Sequence, residues 1–187
     1  RRELDVRRIG ITSLGGGAAD SCVAALALAR NIAITGKRVA LVDLARTGSF
    51  IGALCSVPMG PGITDLVSGS ADFTKVISRD ARSPVHVLRY GLDHSPRAHT
   101  LLLERAESVL GALAQSYDFV IVNLGEASED TPILLHKCEG ALLLSPAARL
   151  GEVTAAVQTL LDTGLTAAQH VMIGPVTTAA QQHAVLA

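Results

Sequence analysis

The stretch from Arg8 to Asp43, RIGITSLGGGAADSCVAALALARNIAITGKRVALVD, admits few folds. Arg8 to Ser13 reads as a short buried strand, with Ile9 and Ile11 flanking a glycine. Leu14 to Asp20 is a glycine-rich turn, and Ser21 to Thr35 is an alanine- and leucine-rich helix that Gly36 stops. Val39 to Val42 is a second apolar strand, ending in Asp43. Strand, glycine turn, helix, strand is a βαβ unit, and its chemistry sits at the turn. There the helix N-terminus aims unpaired N–H groups and the positive end of its dipole at a guest, usually an anion.

The same alternation continues downstream. Short helices are expected at Ser49 to Cys55, from Thr64 to the stop at Gly69, and from the cap Asp72 through Ser78. A strand at Val85 to Leu88 precedes an amphipathic helix over Thr100 to Ser116, with leucines at 101, 102, 103, 110 and 113. Buried strands follow at Asp118 to Leu124 and Gly140 to Ser145, then a helix over Gly151 to Asp162 and a strand near His170 to Ile173. This order predicts an α/β fold: a doubly wound, mainly parallel sheet flanked by helices in three αβα layers, with residues 1–187 forming one domain. The composition agrees. Only 3% of the 187 residues are aromatic and 49% are hydrophobic, so the core is built from Ala, Val, Leu and Ile, the usual material of a covered parallel sheet.

A net charge of −1 argues against a nucleic-acid surface. Cys22, Cys55 and Cys138 are scattered and lack a CxxC, which reads as reduced, buried thiols. The histidines, among them His86, His94, His99 and His136, show no ligand spacing, so no metal is expected. No apolar run reaches the roughly 18 residues that cross a bilayer. The chain opens on Arg1-Arg2 without Met and is expected to be the cytoplasmic fragment of a longer protein.

Several segments, in order, resemble the bacterial tyrosine kinases of polysaccharide export, relatives of the MinD/ParA P-loop ATPases. Ile11-Thr12-Ser13 resembles the strand end before their Walker A loop. Gly36 to Asp43 (GKRVALVD) resembles their Walker A′ strand, and Pro61 to Gly69 (PGITDLVSG) a characteristic helical segment. Arg79 to Leu88 is similar to the stretch after it, and Tyr117 to Asn123 (YDFVIVN) to their Walker B strand. The likeness spans roughly residues 8 to 174. It implies ATP and Mg²⁺ as cofactors and a homo-oligomeric cytoplasmic domain at the inner face of the membrane. The partners it implies are the transmembrane and periplasmic portion of the same chain or a partner membrane protein, and other export subunits.

The positions that would carry the chemistry depart from the pattern. A Walker A loop, G-x-x-x-x-G-K-[ST], wraps phosphates in backbone N–H groups, neutralises them with Lys and binds Mg²⁺ through its hydroxyl. Gly15-Gly16-Gly17-Ala18-Ala19-Asp20-Ser21-Cys22 fills that space without a Lys; Asp20 or Ser21 falls where it would be, and Asp20 reads as the N-cap of the helix. Walker B ends in Asn123 instead of Asp, Asp43 keeps one Walker A′ acid, and Ala45 replaces the other. Gly174 lies near an expected adenine-contacting Asn, and the tyrosine-rich tail is missing, leaving Tyr90 and Tyr117.

Lys and Mg²⁺ supply most of the charge stabilisation in phosphoryl transfer. The expectation is therefore a pseudo-enzyme with no bound cofactor, with Asp43 and Asn123 vestigial, serving as a regulatory or scaffolding piece of an exopolysaccharide assembly. The alternative is an active autokinase or MinD/ParA-like ATPase in which Ser21 and Asp43 hold Mg²⁺. A minor alternative is a GHMP-type small-molecule kinase, since Leu14 to Ser21 is similar to the glycine loop of that family. Glu126, Glu129 and Asp130 form either an acidic rim or a solvated loop with Asp130 or Thr131 capping the next helix, and Arg46 is a candidate anion ligand.

Overall fold

The computed structural model describes residues 6–146, 150–162 and 167–173. Among the described residues are seven strands and seven helices: β1 (Arg8–Ser13), α1 (Ala18–Ile34), β2 (Val39–Asp43), α2 (Ile51–Leu54), α3 (Ile63–Ser68), α4 (Phe73–Val76), β3 (Ile77–Arg79), β4 (His86–Leu88), α5 (Pro96–Ser116), β5 (Phe119–Glu126), α6 (Thr131–Leu135), β6 (Gly140–Pro146), α7 (Leu150–Asp162) and β7 (Ala167–Ile173). They form one sheet in the order β3-β4-β2-β5-β1-β6-β7. Every pairing is parallel except β3 with β4.

The central strands are apolar throughout because both faces of the sheet are covered. Side chains alternate between those faces. Leu41 and Ile121 join Cys22, Ala25, Leu26, Ala29 and Cys55 in a core beneath α1 and α2. Ala40, Val42, Val120 and Val122 join Ile63, Leu102, Leu110 and Cys138 in a second core on the other face. All three cysteines are free and buried. Burial pushes the Cys55 and Cys138 thiols up to about 12.

The helices α4 and α5 differ from the sequence expectation. The long helix α5 begins at Pro96, four residues before Thr100, because Ser95 caps it: its Oγ accepts from the Ala98 N–H at 3.2 Å, with Pro96 in the first turn. The helix capped by Asp72 stops at Val76, short of Ser78, and the next three residues pair antiparallel with β4 as an edge strand.

The PGITDLVSG segment has a packing role. Ile63 and Thr64 donate backbone N–H groups to Arg89 and Tyr90 carbonyls at 2.8 and 2.9 Å, docking α3 onto the end of β4. The buried Asp65 carboxylate accepts from the N–H groups of Gly62 and Leu92 at 2.8 and 3.0 Å. A side chain at Gly62 would collide with the backbone of Arg89 and Gly91. Asp65→Ala strands one buried donor, the Gly62 N–H, and one half-buried donor, the Leu92 N–H, and is expected to lower unfolding free energy by about 1–3 kcal/mol, read by urea denaturation.

Candidate functional site

The loop, Asp43 and Asn123 all lie at the carboxyl end of the sheet, where open α/β sheets bind ligands. The loop leaves β1 with the Leu14 N–H donating to the Leu144 carbonyl at 2.7 Å. Gly15 and Gly17 have φ of 77° and 90°, which only glycine takes without strain. Gly17 is the N-cap residue, so α1 begins at Ala18, three residues before the expected start at Ser21. Ala18 and Ala19 are strong helix formers and complete the first turn.

This start corrects the expectation for Asp20. It sits in the first turn instead of at the cap, and α1 has no side-chain cap hydrogen bond. The half-buried Asp20 carboxylate turns back over the loop, where a Cβ at Gly16 would collide with it and meet Ser13 Oγ at 2.9 Å. It accepts no hydrogen bond among the described residues, and the buried Ser13 Oγ likewise has no partner. Ser21 is turned inward, its hydroxyl donating to the Ala18 carbonyl at 2.9 Å. Asp20 is therefore the residue that faces the loop where a Walker lysine would stand.

Behind the loop Asp43 and Asn123 meet. Asp43 and Asn123 are register partners on β2 and β5, and Asn123 Nδ2 donates to Asp43 Oδ1 at 2.9 Å. Ser49 Oγ donates to Asp43 Oδ2 at 2.5 Å, and the Ala45 N–H reaches Oδ1 at 3.3 Å. Cys22 Sγ completes the cluster, 3.5 Å from Asn123 Nδ2 and 3.4 Å from the Phe50 nitrogen. Only 3% of Asp43 is exposed. Burial pushes its carboxyl up to about 6, against the opposing hydrogen bonds from Ser49, Asn123 and Ala45 and the more distant charge of Arg89. After Asn123 the pairing of β1 with β5 slips by one residue, bringing Gly125 (φ 74°) against Ala45.

An open cleft of about 430 Å³ lies beside this cluster, lined by Gly17, Ala18, Ala19, Arg46, Thr47, His99, Glu126 and Asp130 among others. Arg46 and Glu126 are exposed, as is Glu129, which does not line the cleft. Asp130 occupies the N-cap position of α6 but makes no cap bond; its carboxylate pairs with His99 Nε2 at 2.8 Å. His99 Nδ1 lies 3.1 Å from the Tyr90 hydroxyl. Tyr117 packs before β5 as expected, with its hydroxyl on His86 Nδ1. Among the described residues no group of His, Cys, Asp and Glu could hold a metal ion. Gly174 lies outside the described residues.

Comparison with known proteins supports the reading of the fold. Over 127 residues, 67% of this chain, it is 31% identical to EpsB of Ralstonia solanacearum, named for a tyrosine-protein kinase. The chain spans 16% of that protein's length. The kinase domain of Escherichia coli tyrosine kinase ETK superposes with a TM-score of 0.80 at 22% identity, covering 95% of this chain and 72% of that one. MinD of Pyrococcus horikoshii, solved with Mg-ADP, superposes with a TM-score of 0.75 at 19% identity, covering 89% and 69%. The chain has the fold of the bacterial tyrosine kinase and MinD-like P-loop NTPase domains. No protein-family model matches it. The GHMP likeness is confined to the glycine loop.

The residues of this kinase-like domain do not fit Mg·ATP at the loop. A carboxylate faces the phosphate position, the Ser21 hydroxyl is committed to its own helix, Asn123 carries no charge, and Asp43 is sealed by its neighbours. Sequence reasoning missed Ser49, His99 and Tyr90 as members of the site. Ser49 follows Asp43 closely enough to suspect, whereas the His99–Asp130 contact joins residues 31 positions apart and leaves no local signal.

Two outcomes follow. Because the folded Asp43 binds its proton more tightly than the unfolded chain, its ionisation costs no stability below about pH 4. The cost grows between pH 4 and about 6 and is complete above that. Asp43→Asn keeps acceptors for Asn123 and Ala45 and can donate to Ser49. Its melting temperature is expected to rise relative to wild type, with the gap opening from pH 4 to 6 in parallel melts. Asp20→Ala should lose only the helix-dipole contribution, a few tenths of a kcal/mol in denaturant titrations, well below the ~1 kcal/mol of a true cap.

Proposed function

We propose that this domain has lost phosphoryl transfer and acts as a regulatory or scaffolding unit of an exopolysaccharide biosynthesis and export assembly. The observation that carries this reading is the buried Asn123–Asp43 hydrogen bond, which turns the acidic pair of a metal site into an internal contact. Asp20 over the loop supports it, since a carboxylate repels the phosphates that a lysine would neutralise. On this reading the partners are a membrane-spanning portion of the same or another chain, other export subunits and further copies of the domain, at the cytoplasmic face of the membrane. Among the described residues, no helix is long and apolar enough to cross a membrane.

The test is a thermal-shift titration with ATP and ADP, each with Mg²⁺. A ligand at about 100 times its Kd stabilises by roughly 2.7 kcal/mol, a readily seen rise. No shift is expected, and a saturable one would restore the autokinase or ATPase reading. Asp20→Lys alone should give no ATP hydrolysis, because Asn123 and Ala45 still leave Mg²⁺ without its acids. Turnover by that single variant would mean the lysine alone had been limiting.

A further inference from the structure

A second pocket, of about 530 Å³, opens at the opposite end of the sheet, where β2 and β4 begin. Its polar lining is Lys37, Arg38, Arg79, His86, Ser116 and Tyr117. The fold assembles these cations from three places. Gly36, with φ of 85°, turns the chain out of α1 so that Lys37 and Arg38 stand at the entrance to β2. Because β3 runs antiparallel to β4, Arg79 at its end is the register partner of His86. Such partners project from the same face of a sheet. The Tyr117 hydroxyl lies 2.7 Å from His86 Nδ1, with the two rings edge-on at 80°, which fixes the imidazole and leaves Nε2 for another partner.

The charge here is one-sided. Arg38 is partly committed: its backbone N–H and guanidinium hold the Asp118 carboxylate at 2.8 and 3.3 Å. The exposed Lys37 and Arg79 side chains make no hydrogen bond or ion pair among the described residues. No described Asp or Glu lines the pocket. In the loop cleft, by contrast, Arg46 shares the lining with Glu126 and Asp130. The Asp118 carboxylate offsets part of this positive charge, through Arg38 and the nearby Lys37, and a bound anion would offset the rest.

We propose that this basic pocket binds a phosphate-bearing group, with Lys37, Arg79 and the remaining Arg38 N–H groups on the phosphoryl oxygens and His86 Nε2 beside them. The phosphate can come from a soluble ligand or a phospholipid headgroup. The site is independent of whether the loop cleft binds nucleotide.

The test uses the whole chain, calorimetry with inorganic pyrophosphate, and co-sedimentation with phosphatidylcholine vesicles with and without phosphatidylglycerol. Saturable pyrophosphate binding without vesicle binding assigns a soluble ligand; binding only to phosphatidylglycerol vesicles assigns a headgroup. In either case Lys37→Gln and Arg79→Gln, both on exposed side chains, should weaken binding, about fivefold each on anionic vesicles. Added salt should weaken it further. Arg97→Gln, on the exposed first turn of α5 and outside both pockets, should leave it unchanged. Absence of binding to both probes overturns the proposal, as does binding that survives the Lys37/Arg79 double variant.

Discussion

The hydrogen bond between Asn123 and Asp43 decides the character of the kinase-like site. It joins the carboxyl ends of adjacent strands, where two carboxylates at the same spacing would repel unless a cation lay between them. With a neutral amide at position 123 the pair can be buried, and Ser49, the Ala45 N–H and Cys22 close around it. Loss of the Walker B charge and sealing of Asp43 are thus one physical change.

Likeness to the family is retained where it holds the fold and lapses where it would hold nucleotide. Gly62 and Asp65 of the PGITD segment cannot change without a backbone collision or stranded donors. Asp20, half-buried and without a hydrogen-bond partner among the described residues, is free of that constraint.

The central strands were legible in the sequence because a sheet covered on both faces demands unbroken apolar runs such as VALVD and FVIVN. The start of α1 was not, because Gly17 took the cap position that Asp20 seemed suited to fill. Nor was β3, whose three residues gain their pairing only from β4. Asp43 and Asn123 could be named from their motifs, but their contact spans 80 residues and depends on strand register. The basic pocket depends on register too, through the antiparallel pairing that sets Arg79 beside His86.

Cys55 and Cys138 lie in the cores on opposite faces of the sheet, both protonated at neutral pH. A thiol that is buried and uncharged does not react with an alkylating reagent until the structure around it opens. The two therefore act as built-in clocks, one for each side of the sheet. Their relative labelling rates would distinguish independent fraying of the two helical layers from a single cooperative opening of the whole domain.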